Sequence, residues 1–291
     1  MKAFLVRFLL ASSRVLGGWF LRFVAYAVTA GYFVFRPRRV RSGMDLYKAL
    51  FPERGRAWHL YSVWRQFADF TAGYCDRLEL DRGGTIQHTH EGSEHLEEAA
   101  ARGQGGILLI SHFGNPEVAA RLFQKQGFPT LFLMGERDPR QVARQQREDM
   151  ERDGLDIRVS SPQKEASPAD GLEVLHALQS GTFVAMAGDL AWQSRPRVAN
   201  APFLGRTIRL PEAPHHIALL TGAPLFTLWI FRTGRAAYHV KASKGRIVTA
   251  ASRSERAGAI QESVRLYASE LEEALKSHPW QWHVFEPVLH D

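Results

Sequence analysis

From residue 84 onward, short apolar runs alternate with stretches in which apolar residues recur every three or four positions. The apolar runs predict strands at 86–89, 105–111, 130–134, 156–160, 182–187, 224–231 and 237–241. The helical patterns predict helices at 93–102, 116–126, 138–151, 168–180, 212–222 and 255–277. Strands that alternate with helices build a mainly parallel sheet covered by helices. The sequence therefore predicts an α/β fold with a mainly parallel central sheet flanked by helices.

The first 36 residues have a different composition. Between residues 15 and 35 the only charged side chain is Arg22, and about twenty helical residues cross the hydrocarbon core of a bilayer. We therefore expect a hydrophobic N-terminal membrane helix over 1–36 and a separate folded domain over 37–291. A helix that lies in the membrane interface is the alternative, because an arginine at the bilayer centre costs about 2.5–3.5 kcal/mol.

The formal net charge of the chain is +7, and a group of basic residues lies at one place in the sequence. Basic residues follow the apolar segment directly: Arg36, Arg38, Arg39, Arg41 and Lys48. Cations that follow a membrane helix stay on the cytoplasmic side, so the folded domain is expected to face the cytoplasm. No basic run resembles a nucleic-acid module, so no nucleic-acid partner is expected. The lone Cys75 excludes an intramolecular disulfide, which suits a reducing compartment.

A further helix is predicted over 56–80, where aromatic side chains recur at helical spacing. They are Trp58, Tyr61, Trp64, Phe67, Phe70 and Tyr74. We expect this stripe to pack on the core. The alternative is that part of it contacts a lipid or an acyl chain.

The run at 105–117 carries the strongest functional signal. An apolar strand leads to His112, and Glu117 follows five residues later in the first turn of a new helix. Asn115 suits the N-cap of that helix and Pro116 its first position. On a continuous helix His112 and Glu117 would be about 140° apart, so they can meet only because Gly-Asn-Pro turns the chain. An imidazole oriented by a carboxylate, beside backbone N–H groups at a helix start, can deprotonate a hydroxyl and stabilise an oxyanion.

Four blocks, in order over roughly residues 1–290, resemble one enzyme family. His112-Phe-Gly-Asn-Pro-Glu117 is similar to the His-x4-Asp/Glu motif of the glycerolipid acyltransferases. The preceding Gly-Gly-Ile-Leu-Leu-Ile-Ser narrows the resemblance to the bacterial lipid A late acyltransferases, which are lauroyl and myristoyl transferases. The other blocks are Gly188-Asp189 with 198–205, Thr-Gly-Ala-Pro at 221–224, and a terminal Pro-Trp-Gln-Trp within 278–283.

The resemblance implies an acyltransferase at the bacterial inner membrane. It would move a fatty acyl group from a thioester of acyl carrier protein or coenzyme A to a hydroxyl or amine of a lipid or glycolipid, with no cofactor and no metal. His112 would be the general base and Glu117 would hold its tautomer. Backbone N–H groups near Gly114–Glu117, those of Gly114 and Asn115 among them, would bind the oxyanion. A lipid A precursor, another glycolipid, an aminoacyl lipid and a pigment lipid all stay open as the acceptor.

Three further residues are candidates for binding the substrate. The family places a phosphate-contacting arginine after the third predicted strand, which indicates Arg137, with Arg140 and Arg144 as competitors and a loop ion pair as the plain alternative. Asp189 stands at the carboxyl end of a predicted strand, where open α/β sheets bind ligands. Arg195 follows in a loop, where it could meet an acidic head group.

The sequence is also compatible with two other functions, and one group of histidines resembles a metal site. A degenerate relative that binds lipid or acyl carrier without chemistry and an acyl thioester hydrolase remain alternatives. His88, His90 and His95 invite a zinc site, but the order His90-Glu-x-x-x-His95 misses His-Glu-x-x-His by one residue. We therefore expect a solvated strand end there and no metal.

Overall fold

A computed structural model describes residues 18–80, 83–135, 154–160, 168–191 and 197–291. Three helices come first: α1 (Gly18–Phe35), α2 (Pro37–Leu50) and α3 (Arg56–Leu80). Five more follow in the described residues: α4 (Ser93–Ala101), α5 (Pro116–Lys125), α6 (Pro168–Gln179), α7 (Ala213–Thr221) and α8 (Arg256–Ser277). The predicted helix at 138–151 lies outside the described residues.

The central sheet has seven strands in the order β1-β9-β8-β2-β5-β3-β4. They are β1 (Gln87–Glu91), β2 (Ile107–Ile110), β3 (Thr130–Gly135), β4 (Asp156–Ser160), β5 (Phe183–Ala187), β8 (Leu225–Gly234) and β9 (Ala237–Ala242). Every neighbouring pair is parallel except β8 with β9. The predicted α/β class with a mainly parallel sheet is therefore confirmed.

The central strands of this sheet are buried on both faces, as is usual for parallel sheets, whereas the edge strand β1 is exposed. Successive residues of a strand point to opposite faces. Ile107 and Leu109 of β2 accordingly join a core with α2, α3 and α8, whereas Leu108 joins a second core with α4 and α5. The carboxyl ends of β2 and β5 thus emerge between two packed layers.

A second sheet was not predicted. It is antiparallel, in the order β10-β7-β6, and consists of β6 (Val198–Phe203), β7 (Arg206–Pro211) and β10 (Leu289–His290). Leu204 and Gly205 join the first two strands with φ angles of 51° and 74°. Gly205 therefore serves a tight hairpin turn. Nothing lies within 4 Å of a Cβ built there, so close packing does not explain it.

The structure describes only part of the segment over which the sequence predicts a membrane helix. Its residues 1–17 lie outside the described residues, and α1 begins at Gly18. No helix in the described ranges combines the length and the apolar character that a bilayer crossing requires. α1 packs along α3, where Arg22 forms an ion pair with Glu79 at 3.0 Å. Helix α2, for which the sequence analysis predicts no helix, covers the core with Leu46 and Tyr47.

Candidate active site

The sheet register brings His112 and Asp189 together. Strands β2 and β5 are parallel neighbours that pair Ile110 with Ala187. His112 and Asp189, each two positions beyond this pair, therefore leave the sheet side by side. His112 Nδ1 lies 2.9 Å from Asp189 Oδ1, and the His112 backbone N–H donates to Asp189 Oδ2 at 2.7 Å.

Asp189 is fully buried and holds its charge through hydrogen bonds. Trp282 Nε1–H donates to Oδ2 at 2.8 Å, beside the backbone N–H of His112. Burial raises the pKa of the Asp189 carboxyl, but the charge of His112 and these hydrogen bonds outweigh it, so the pKa lies below its ordinary value. Asp189 is therefore a carboxylate at neutral pH.

The turn after His112 requires a glycine. Gly114 has a φ of +55°, and a Cβ there would lie 2.2 Å from the carbonyl oxygen of Ile230 in β8. Asn115 takes the N-cap position of α5 with Pro116 after it, as predicted. Its side chain does not cap the helix but donates to the carbonyl of Gly73 in α3 at 3.1 Å. Asn115 thereby fastens α3 over the turn.

The backbone N–H groups of this turn differ in availability for an oxyanion. The N–H of Gly114 donates to the carbonyl of Gln281 at 2.9 Å, and Pro116 has no N–H. Asn115 and Glu117 are then the candidate donors at the start of α5, where the helix dipole also favours a negative charge.

Glu117 lies in the first turn of α5 and is nearly buried. Its Oε2 lies 3.1 Å from Arg77 Nε, and the Arg77 guanidinium lies over the Tyr74 ring at 5.6 Å. The carboxylate found at Nδ1 of His112 is that of Asp189, which sequence reasoning assigned to substrate binding. The site thus holds two carboxylates, one at the imidazole and one in an ion pair with α3.

Residues near the C-terminus complete the site. Trp282 stacks on Phe113 at 6.3 Å between ring centroids, and the His283 N–H donates to the His112 carbonyl at 2.7 Å. The Gln281 side chain bonds both the N–H and the C=O of Arg232 in β8, at 2.7 and 2.8 Å. These contacts give the Pro-Trp-Gln-Trp block a structural reason. The role of Trp282 was missed, and this block was the one signal that could have found it.

A buried ion pair fixes α3 beside the site. The Arg232 guanidinium donates to Asp76 at 2.7 Å, and the Tyr238 hydroxyl donates to the same carboxylate at 3.0 Å. Burial lowers the pKa of Arg232, but its bond to Asp76 more than offsets this, so the pKa is raised and the charge is retained. Sequence reasoning did not predict this pair, because its members are 156 residues apart.

An apolar surface of α3 adjoins the site. Phe70 is 49% exposed and its ring lies 5.4 Å from that of His283. Tyr74 is 44% exposed and lies beneath Arg77. Of the predicted aromatic stripe, Phe67 is buried in the core as expected. Phe70 and Tyr74 instead face outward next to residues that contact His112 and Glu117.

Two predicted substrate residues, Arg137 and Arg195, lie outside the described residues, as do Arg140 and Arg144. The described part of the site therefore consists of His112, Asp189, the turn to Glu117 and the C-terminal segment.

Comparison with known proteins identifies the family. The model of the bacterial lipid A biosynthesis acyltransferases matches residues 70–290, about three quarters of the chain. The chain belongs to this family. It is therefore an acyltransferase of the lipid A type, and the match includes both His112 and Trp282. No individual curated protein matches the chain.

Proposed function

We propose that this lipid A type acyltransferase uses His112, held by Asp189, as the general base of acyl transfer to a lipid acceptor. The hydrogen bond between Nδ1 and Asp189 carries the proposal. A carboxylate at Nδ1 fixes the tautomer in which Nε2 has the lone pair, and it stabilises the imidazolium that forms. The His112 side chain is 29% exposed, so an acceptor can reach it.

The proposed reaction needs one base and one oxyanion site. Nε2 removes the proton of the acceptor hydroxyl or amine, whose oxygen or nitrogen attacks the thioester carbonyl. The tetrahedral oxyanion is stabilised by the N–H groups of Asn115 and Glu117, with Gly114 shaping the turn. Collapse of the intermediate expels the thiolate, which takes the proton from the imidazolium. A thioester carbonyl is reactive without metal activation, so the proposal includes no metal or cofactor.

The second carboxylate has a proposed supporting role. Glu117 stands in the same turn as His112, and its pairing with Arg77 holds it at the helix start. We propose that Glu117 adds negative potential for the imidazolium and shapes the oxyanion site. Arg137 and Arg195 remain the proposed contacts for the acidic head group of the acceptor.

The acyl group is proposed to lie along Phe70 and Tyr74. Two half-exposed aromatic rings beside the catalytic turn suit an alkyl chain, because burying each methylene contributes about 0.8 kcal/mol. The donor is proposed to be a thioester of acyl carrier protein or coenzyme A, and the basic surface suits either anionic donor. The reaction is proposed to take place at the cytoplasmic side of the bacterial inner membrane.

The test is acyl transfer by the purified protein. We expect the protein, given an acyl thioester, to acylate a lipid acceptor in a reaction that mass spectrometry detects and that depends on His112. Thioester consumption that does not require an acceptor would indicate a hydrolase instead. Binding of donor or lipid with no turnover would indicate a binding protein.

The proposed contact between the acyl chain and Phe70 has its own test. Phe70→Ser should raise KM for a long-chain thioester by roughly tenfold, because about half a Phe side chain of contact is lost, and it should leave a short-chain thioester unaffected. Leu60→Ser is the matched control, since Leu60 is 43% exposed on the same helix. An equal effect of Phe70→Ser on both chain lengths would exclude the proposed contact.

A further inference from the structure

Asp76 of α3 is a completely buried carboxylate behind the catalytic turn. It accepts hydrogen bonds from the Arg232 guanidinium of β8, at 2.7 Å from Nε and 3.4 Å from Nη2, and from the Tyr238 hydroxyl of β9 at 3.0 Å. Buried ion pairs contribute little net stability, because the desolvation of two charges offsets their attraction. Stability alone therefore does not explain these three residues, which we call the Asp76 group.

One connection runs from Tyr238 of this group to the catalytic turn. A Cβ built on Gly73 would lie 3.9 Å from each of three atoms, which are Asn115 Nδ2, the Gly114 carbonyl oxygen and the Tyr238 hydroxyl oxygen. Burial first, and then the negative charge of Asp76, raise the pKa of Tyr238, whereas a hydrogen bond from the Asn115 side chain lowers it. Tyr238 is therefore a neutral phenol that donates to Asp76 and accepts from Asn115.

A second connection runs from Arg232 to the same turn. The side chain of Gln281 bonds the backbone N–H and C=O of Arg232, and its own backbone carbonyl accepts the N–H of Gly114 at 2.9 Å. The backbone nitrogen of Arg232 would lie 3.6 Å from a Cβ on Gly114. The Asp76 group thus reaches two neighbouring residues of the turn from two different strands.

We propose that Asp76 and Tyr238 are positioning residues of acyl transfer, which hold the oxyanion-binding N–H of Asn115 in place through the Asn115 side chain. The inference rests on the proposed function, because it assigns the support of the oxyanion site named there. A donor stabilises an oxyanion best when its direction is fixed before the charge develops. Tyr238 bonds the side chain of Asn115 and leaves its backbone N–H to the oxyanion. Loss of Tyr238 should therefore slow transfer without weakening substrate binding.

The first experiment is Tyr238→Phe in the purified full chain, assayed with an acyl thioester and a lipid acceptor. This variant keeps the ring and removes only the hydroxyl. Loss of one oxyanion donor lowers kcat by roughly 10²–10³-fold, and a displaced donor should lose part of this. We expect kcat to fall roughly 10–100-fold with KM little changed. The pH dependence of kcat should stay that of the parent, because Asp189 still holds His112.

A double-variant comparison tests whether Tyr238 acts through Asn115. If it does, Tyr238→Phe combined with Asn115→Ala should be no slower than Asn115→Ala alone, since residues of one network are not additive. The matched control is Ser263→Ala, which removes a buried hydroxyl that lies 2.8 Å from His215 Nδ1 in the packing of α7 on α8. Ser263→Ala should lower the unfolding temperature and leave kcat at the parent value.

Several results would overturn the positioning role. They are a kcat of Tyr238→Phe equal to that of Ser263→Ala, and losses from Tyr238→Phe and Asn115→Ala that multiply in the double variant. A rise in KM at the parent kcat would place Tyr238 in substrate binding instead. A shift in the pH dependence of kcat would show that Tyr238 acts on His112 and not on the oxyanion site.

Failure of the proposed function has a different signature. A folded His112→Ala protein that still transfers the acyl group would exclude the general base, whatever the effect of Tyr238→Phe. An inactive His112→Ala protein beside a Tyr238→Phe protein with the parent kcat would overturn the positioning role alone. A parent chain that transfers no acyl group would overturn both.

Discussion

At the scale of single residues, the site is a line of three side chains from distant parts of the sequence. Trp282 donates to Asp189, and Asp189 bonds His112. Each residue could be recognised from the sequence as a candidate or as part of a motif. The contact between His112 and Asp189 could not be recognised from the sequence, because it depends on β5 lying beside β2. Sequence reasoning therefore gave the imidazole the nearest carboxylate along the chain, that of Glu117.

Substitutions of the two carboxylates should separate their roles. We expect His112→Ala to lower kcat by about 10²–10⁴-fold, the usual cost of losing a general base. Asp189→Asn should come close to this, because an amide cannot hold the same tautomer or stabilise the imidazolium. Glu117→Gln should cost less, because Asp189 still holds Nδ1. The measurement is product formation by mass spectrometry, with thermal unfolding as the check of folding.

The order of these effects decides between two assignments. A larger loss from Glu117→Gln than from Asp189→Asn would give Glu117 the orienting role that its sequence spacing first indicated. Substantial product from a folded His112→Ala protein would exclude the general base altogether.

Trp282 should act as a positioning residue through its indole N–H. Trp282→Phe keeps the ring stacked on Phe113 and removes the donor to Asp189. A hydrogen bond to a charged group contributes about 1.5–3 kcal/mol, so we expect a loss in kcat of roughly 10–100-fold with KM little changed. Trp280→Phe is the control, because Trp280 makes no contact with Asp189 that the structure records. If KM rises while kcat stays at the parent value, Trp282 acts on substrate binding instead.

At the scale of elements, the sequence predicted most of the main sheet and its helices. The predicted strand at 156–160 has the observed bounds, and others differ by one to three residues. The hydrophobic pattern identifies the central strands because both of their faces are buried. The hairpin of β6 and β7 was missed because Pro202 interrupts its pattern and its pairing depends on a two-residue turn. α2 was missed because prolines and arginines obscure its buried face.

The turn between β2 and α5 allows a direct test of backbone geometry. Gly114→Ala should disrupt the site, since the added Cβ would lie 2.2 Å from the Ile230 carbonyl oxygen. Gly127→Ala is the matched control, with a φ of +79° and nothing within 4 Å of a Cβ. We expect Gly127→Ala to cost about 1–2 kcal/mol of folding free energy from backbone strain, and Gly114→Ala to cost more and to lower activity sharply. Equal effects in urea unfolding would show that the turn can move away from β8.

At the scale of the whole molecule, the C-terminal segment contacts elements from both the N-terminal and the C-terminal parts of the sequence. Gln281 bonds β8, Trp282 packs on the catalytic turn, and Tyr47 of α2 donates to the carbonyl of Pro279 at 2.8 Å. The catalytic geometry therefore depends on nearly the full length of the domain. This long-range dependence explains why sequence periodicity identified the elements but left the contacts of the site open.

The packing of α7 on α8 should make the whole fold sensitive to acid. His215 of α7 is fully buried, and its Nδ1 lies 2.8 Å from the Ser263 hydroxyl of α8. Burial, and then the charge of Arg246, lowers the pKa of His215 from 6.5 to about 3. The Tyr267 ring, whose centroid lies 6.2 Å from that of His215, is a further titratable neighbour. Below pH 6.5 the unfolded chain therefore binds a proton at His215, whereas the folded chain binds this proton only near pH 3.

Proton uptake by the unfolded state alone lowers stability as the pH falls. Protonation of His215 in the unfolded chain should therefore lower the free energy of unfolding by roughly 2 kcal/mol between pH 7 and pH 5. The slope of this free energy against pH approaches about 1.4 kcal/mol per pH unit. His215→Gln should be less stable than the parent at pH 7 but should lose less stability on acidification. Urea unfolding at pH 7, 6 and 5 measures this, with His216→Gln on the same helix as the control that keeps the slope of the parent. If His215→Gln shows the same pH dependence as the parent, the folded protein must protonate His215 in this range, and α7 must open to let it do so.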